Sequence, residues 1–302
     1  MKVKNINIST EKPKIVVVGS SSLDRVINTE KTPLPNETLL ACSSENYYGG
    51  KGANQAVACA RLGAHVHFIG SVGMEPVGQQ ILRHLVDEGI NVGFVNESPY
   101  SESGKAYVLA AENQNTIVVV PAANNDLKTA HIIQAEKAIE KADWVLIQME
   151  IPLEVIFFTI NYAFKHKIKI GLYASPAKKL PDDIIEKVNF IIAKESELTT
   201  LFGENATTEE LLKKYSEKLF IRNNANETTY WHKDGILKTE RKDHEHTLQK
   251  MGMGDAFTAG FTIALSHQNS IEESVKFGNE IANEVSKHRG SQRGLPQLES
   301  LK

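Results

Sequence analysis

A chain of 302 residues, 41% hydrophobic and 24% charged, has the makeup of an ordinary folded protein, not of a disordered or fibrous one. A net charge of −3 and a pI near 6.4 provide no basic field, so electrostatic capture of nucleic acid or of an anionic membrane is not expected. Its two cysteines, Cys42 and Cys59, make neither a disulfide framework nor a metal site. The N-terminal stretch lacks an apolar signal core and no run of about 18 apolar residues occurs, so a cytoplasmic protein is expected.

Residues 14–19, Lys-Ile-Val-Val-Val-Gly, read as a strand of a parallel sheet buried on both faces. Ser20 to Asp24 follow at its C-terminal edge, where open α/β sheets bind ligands. Pro33, Pro35 and Asn36 mark a turn, and 38–48 carries β-formers without helical period, which predicts an exposed strand. Gly49-Gly50-Lys51-Gly52-Ala53-Asn54-Gln55-Ala56 then breaks the strand and starts an alanine-rich helix over 53–62, stopped by Gly63. Lys51 and Asn54, three apart, can face one ligand. The spacing is not that of a P-loop.

The βα rhythm continues with a strand at 65–70 and a helix at 77–87. Residues 105–111 and 116–121 read as a hairpin turning at 112–115. A helix at 132–141, a buried strand at 143–149 ending at Glu150, a helix at 155–166 and a strand at 169–173 come next. A strand at 188–192 leads into Lys194-Glu195-Ser196-Glu197 and a helix closed by Gly203. A helix at 208–218, a strand at 219–222, a hairpin over 228–240 and long helices at 256–265 and 271–287 complete the chain. The second of two decisive stretches, Gly252-Met253-Gly254-Asp255, opens the first of these last helices. Its glycines let the backbone approach a ligand, and the helix start presents unpaired N–H groups beside a carboxylate. That suits phosphoryl transfer, which needs donors for developing phosphate charge and a base for a hydroxyl proton. Alone, the motif is equally a glycine turn with an Asp cap.

Alternating strands and helices predict a three-layer α/β/α fold on a mostly parallel sheet, formed by residues 1–302 as a single domain. The β-only stretches near 25–47 and 96–120 would form a small separate sheet, a lid whose exposed edges favour a homodimer. His65/His67 and His244/His246 lack a third ligand cluster, so zinc is not expected, and Trp144 and Trp231 read as core.

The chain resembles the ribokinase (PfkB-type) sugar kinases from about residue 14 to 296. The resemblance rests on the Gly49–Ala56 and Gly252–Phe257 motifs, with Gln148-Met149-Glu150-Ile151-Pro152 between them. It implies transfer of the ATP γ-phosphate, with Mg2+, to the primary hydroxyl of D-ribose. It implies Asp255 as base and Gly252 and Gly254 as anion hole, with Ser22, Asp24, Gly50, Lys51, Asn54 and Glu150 around the sugar. Lys194, Glu197, Asn224 and Gly254 would meet the nucleotide, and Glu197 would act on magnesium indirectly.

The nucleotide half departs from the family pattern. Tyr173-Ala174-Ser175-Pro176 stands for Asn-Pro-Ala-Pro, Lys194 for the Asn of Asn-x-x-Glu, and Arg222, Asn224 and Glu227 for a Thr and two glycines. Gln249-Lys250-Met251 replaces Asp-Thr-Thr of a monovalent-cation site, so no such cation is expected to be required, with the Lys250 ammonium in its place. Gly73-Met74-Glu75 replaces Gly-Asp-Asp, and Ser22 replaces an Asn. Two alternatives stay open: a sugar-binding protein of the same fold with weak or lost kinase activity, and a kinase of another sugar or a nucleoside.

Overall fold

The computed structural model describes residues 2–3, 6–111, 114–203, 206–223, 227–232, 234–239 and 250–301. Eight strands form its main sheet, in the order Gly235–Thr239, Thr228–His232, Leu219–Arg222, Phe190–Lys194, Lys169–Tyr173, Trp144–Gln148, Lys14–Val18, His65–Ile69. From Leu219–Arg222 to His65–Ile69 every pairing is parallel, and the last two strands at the other edge are antiparallel.

The continuous apolar runs are explained by burial on both faces. Ile15 and Val17 enter one core, beneath helices Lys51–Arg61, Met253–Ser266 and Ile271–Ser286. Val16 and Val18 enter the opposite core, beneath Leu153–Lys165 and the short helices after it. This alternation follows from the two-residue period of a strand. The fold class is therefore the three-layer α/β/α arrangement expected.

A second sheet has four strands, in the order Gln114–Val120, Gly104–Ala111, Ser22–Asn28, Ser43–Gly49. The chain runs from Lys14–Val18, the strand next to the His65–Ile69 edge, directly into Ser22–Asn28, and from Ser43–Gly49 directly into the Lys51–Arg61 helix. The junction of the two sheets thus lies at the C-terminal end of the strand Lys14–Val18.

Several sequence-based boundaries move. The strand expected over 38–48 begins at Ser43, because Ser43 pairs with Asn28, where the partner strand ends. Asn96–Ser98 does not join the small sheet but pairs in parallel with Ser71–Gly73. The helix expected over 132–141 is two short ones, Thr129–Gln134 and Glu136–Glu140, parted at Ala135. The helix from 208 stops at Lys214, and Glu217 takes a positive φ of 55° before the next strand. Gly252, at φ 77°, caps the helix Met253–Ser266, so the helix expected from 256 starts three residues earlier and takes in Asp255 as its third residue. Trp144 is buried and Trp231 is partly buried. His244, His246 and Gln249 lie outside the described residues.

Candidate active site

The Gly49–Gly52 turn is shaped by contact. Gly50 has φ 87°, and a Cβ there would lie 2.5 Å from the Ser21 Cα. A Cβ on Gly52 would come within 2.7 Å of the Gly19 carbonyl carbon, and one on Gly49 would strike the Asp24 carboxylate. The helix Lys51–Arg61 can therefore start hard against the end of the strand Lys14–Val18, with the Ala53 N–H donating to the Ser20 carbonyl at 2.9 Å. Its buried alanines permit that approach.

Glu150, just past the strand Trp144–Gln148, is held by three donors. Lys51 Nζ lies 2.7 Å from Oε1, while the Lys51 N–H (3.1 Å) and Ser20 Oγ (2.5 Å) donate to Oε2. Burial pushes Glu150 upward most, but the Lys51 charge, its two bonds and the Ser20 bond together hold it below the usual carboxylate range. Burial likewise works against the Lys51 charge, and Glu150, then Asp255, outweigh it, so the ammonium stays protonated.

Ser22 and Asp24, two apart on one strand face, point into the same space. Ser22 Oγ donates to Asp24 Oδ1 at 2.6 Å. Burial raises Asp24 to about 6, against the Ser22 bond, with the Glu150 charge adding to the rise.

Asp255 is 4% exposed. It accepts from Asn54 Nδ2 at 2.9 Å and from Gln55 Nε2 at 3.2 Å, and the Gln55 oxygen in turn accepts from Gln148 Nε2 at 2.6 Å. Burial lifts Asp255 to about 6, opposed chiefly by the Lys51 charge and the Asn54 bond. Gly252 packs on Ser291, where a Cβ would lie 2.6 Å from the serine Cβ. Gly254 faces Tyr173, whose hydroxyl would collide with any Cβ there. Asp255, Lys51, Asp24 and Glu150 thus share one buried, electrostatically linked space, with the N-terminus of the Met253–Ser266 helix at its floor.

Toward the other strand ends, Ser175 Oγ donates to Glu197 Oε1 at 3.0 Å and Lys194 Nζ lies 3.7 Å from the same oxygen. Glu197 Oε2 is buried without a hydrogen-bond partner among the described residues. A carboxylate oxygen left open in this way fits magnesium held mainly by nucleotide phosphates, the usual mode for that ion. Arg222 is buried, with Nη1 2.7 Å from Asn279 Oδ1 and 3.1 Å from Thr228 Oγ1, and its guanidinium lies 4.1 Å over the Phe257 ring. Asn224 lies outside the described residues, and Lys250 is exposed.

Comparison with known proteins identifies the family. The model of the pfkB family carbohydrate kinases matches residues 12–298. The chain belongs to that family. It is a sugar kinase. It is 38% identical over 284 residues to the ribokinase of Bacillus subtilis (strain 168), covering 93% of this chain and 96% of that one. It is 31% identical over 294 residues to the ribokinase of Lactococcus lactis subsp. lactis (strain IL1403), covering 96% of each. The structure of Arabidopsis thaliana ribokinase complexed with ribose and ATP superposes with a TM-score of 0.85 at 24% identity, over 96% of this chain and 98% of that one, which speaks to the fold.

Within this carbohydrate kinase, sequence reasoning named Ser20, Gln55 and Tyr173 without giving any of them a role at the site, and passed over Gln292. Ser20 and Gln55 sit beside residues of the motifs and could have been read from them. Tyr173 and Gln292 carry no local signal, because each reaches its partner only through the packing of the sheet or of the C-terminal segment.

Proposed function

We propose that this kinase phosphorylates the primary hydroxyl of a pentose, D-ribose, at the expense of ATP. The observation that carries the reading is the placement of a buried Asp255 in the first turn of the Met253–Ser266 helix, in one space with Asp24, Lys51 and Glu150. Asp24, Glu150, Ser22 and the Asn54 amide offer a mixed set of acceptors and donors suited to several adjacent sugar hydroxyls. Asp255 takes the proton of the primary hydroxyl as that oxygen forms its bond to the γ-phosphorus and the bond from phosphorus to the ADP oxygen breaks. The N–H groups at Gly252 and Gly254 face the developing phosphate charge. Magnesium supplied with ATP would neutralise phosphate charge, with Glu197 as the residue that would steady it, and Lys194 beside it.

The protein is read as a cytoplasmic homodimer. Among the described residues no helix is long and apolar enough to cross a membrane. The edge strand of the small sheet exposes Ile117, Val118, Val119 and Val120, apolar on both of its faces, an edge that a second copy would cover while the sheet closes over the sugar as a lid.

Release of ADP with and without D-ribose tests the reading. Ribose-dependent turnover is expected, with 2-deoxyribose slower because one hydroxyl partner is lost. Ribose binding without any nucleotide binding at millimolar ATP would instead favour a sugar-binding protein with the kinase step lost.

A further inference from the structure

Asp255, when ionised, can only accept hydrogen bonds. The Asn54 side chain meets it with Nδ2, which turns Asn54 Oδ1 the other way, toward two donors: Ser291 Oγ at 3.2 Å and Gln292 Nε2 at 3.0 Å. With its amide nitrogen committed to Asn54, Gln292 presents Oε1 to His84 Nε2 at 2.7 Å, so that nitrogen carries the proton. The polarity of each bond thus fixes the next, from His84 to Asp255. Gln292 is itself anchored, because the Arg61 guanidinium donates to its carbonyl at 2.8 Å and Glu88 holds that guanidinium from the other side.

The far end of this chain is a stack. The Tyr48 and His84 rings lie parallel, with centroids 4.0 Å apart and planes 7° apart. Tyr48 belongs to the strand Ser43–Gly49 of the small sheet, and His84 to the helix Pro76–Asp87 of the main body. The segment carrying Gln292 also touches both sides, since Gly290 abuts the Tyr47 ring and Ser291 abuts Gly252.

We propose that Gln292, oriented by His84, is a positioning residue that keeps the Asn54 amide nitrogen turned on Asp255, and that the Tyr48–His84 stack ties this orientation to the seating of the small sheet. The inference rests on the reading of Asp255 as the base. If His84 offered no proton, Gln292 could turn its amide, Asn54 would follow, and an amide oxygen would face the carboxylate. That contact is repulsive and displaces the base from the hydroxyl it must reach, and small misplacements of this kind cost rate steeply.

Three variants separate the parts. Gln292→Met keeps the volume and loses both bonds; it is expected to lose at least about tenfold in kcat, with the KM for ribose within about threefold of wild type. His84→Phe keeps the stack but has no N–H, and should lose kcat similarly. His84→Gln lacks the ring but places an amide N–H where Nε2 stood, and should keep kcat within about threefold. Wild-type kcat in Gln292→Met, or equal losses in His84→Phe and His84→Gln, would overturn the relay. A second readout needs no activity: infrared titration of the Asp255 carboxyl in ligand-free protein, with Asp255→Asn as the blank. The groups facing Asp255 from neighbouring elements, Lys51, Glu150 and Tyr173, are the same in both proteins, so loss of the oriented Asn54 donor alone should move the Gln292→Met midpoint upward. Should the wild type show no ribose-dependent turnover, the functional reading fails while this titration still decides the relay, and an unmoved midpoint rejects it.

Discussion

Replacing Asp255 by Asn should change how stability depends on pH, in a direction and by an amount fixed by its burial. In the folded protein Asp255 titrates at about 6 against an ordinary 3.8. A carboxyl whose folded value is raised favours the fold while protonated, so its contribution is intact below pH 4 and lost as pH rises through 6. One pH unit is worth about 1.4 kcal/mol, so ionised Asp255 costs the fold roughly 3 kcal/mol at pH 8 and roughly half that at pH 5. The amide of the Asp255→Asn variant carries no such dependence. The stability difference between variant and wild type should therefore grow in favour of the variant by about 1.4 kcal/mol from pH 5 to pH 8, whatever constant offset the changed hydrogen bonds introduce. Asp24, raised to about 6 by its own burial, is common to both proteins and cancels in the difference. Urea unfolding of the two proteins at several pH values, at matched ionic strength, measures this directly. The same ionisation should give kcat/KM an acidic limb near pH 6, because only the ionised carboxylate can take a proton. Stability curves that stay parallel between pH 5 and pH 8 would refute the claim that burial holds this carboxyl up.

Other outcomes follow from particular contacts. Gly254→Ala puts a methyl group on the Tyr173 hydroxyl, and should lower turnover by at least about 10²-fold by displacing the anion-binding turn; Gly254→Ala combined with Tyr173→Phe should recover part of it, as steady-state kinetics would reveal. With Gln249 where the family carries Asp, turnover should be equal in potassium and sodium at matched ionic strength, and stimulation by potassium would contradict this. Because Lys250 is exposed, Lys250→Met should leave turnover within about twofold, which would set aside a lysine acting in the ion's place. Light scattering should find a dimer, and Val119→Lys, which charges the exposed edge strand, should make it a monomer.

The parts of the site legible in the sequence were those imposed by the backbone. Gly50, Gly52, Gly252 and Gly254 occupy places where a Cβ would meet other atoms, and such demands leave a local mark. Asp24 could be placed because it follows the strand Lys14–Val18, and Glu150 because it ends the neighbouring one. What stayed hidden depends on non-local pairing. The small sheet takes in Ser43 and not Thr38 because its partner strand ends at Asn28. Tyr173 meets Gly254 only once the parallel sheet has set which strand end lies under the helix. Gln292 reaches Asn54 across 238 residues of sequence, and no spacing rule connects two amides so far apart.

The central claim, that Asp255 takes the proton of a pentose's primary hydroxyl during phosphoryl transfer, is tested most directly by following the product of the wild type and of Asp255→Asn with phosphorus NMR, using D-ribose and ATP. The wild type should build up a monophosphate ester coupled to the two protons on C5, and Asp255→Asn should form the same ester at least about 10²-fold more slowly with an unchanged affinity for ribose. A phosphate on any other oxygen, or wild-type turnover in Asp255→Asn, would contradict the account.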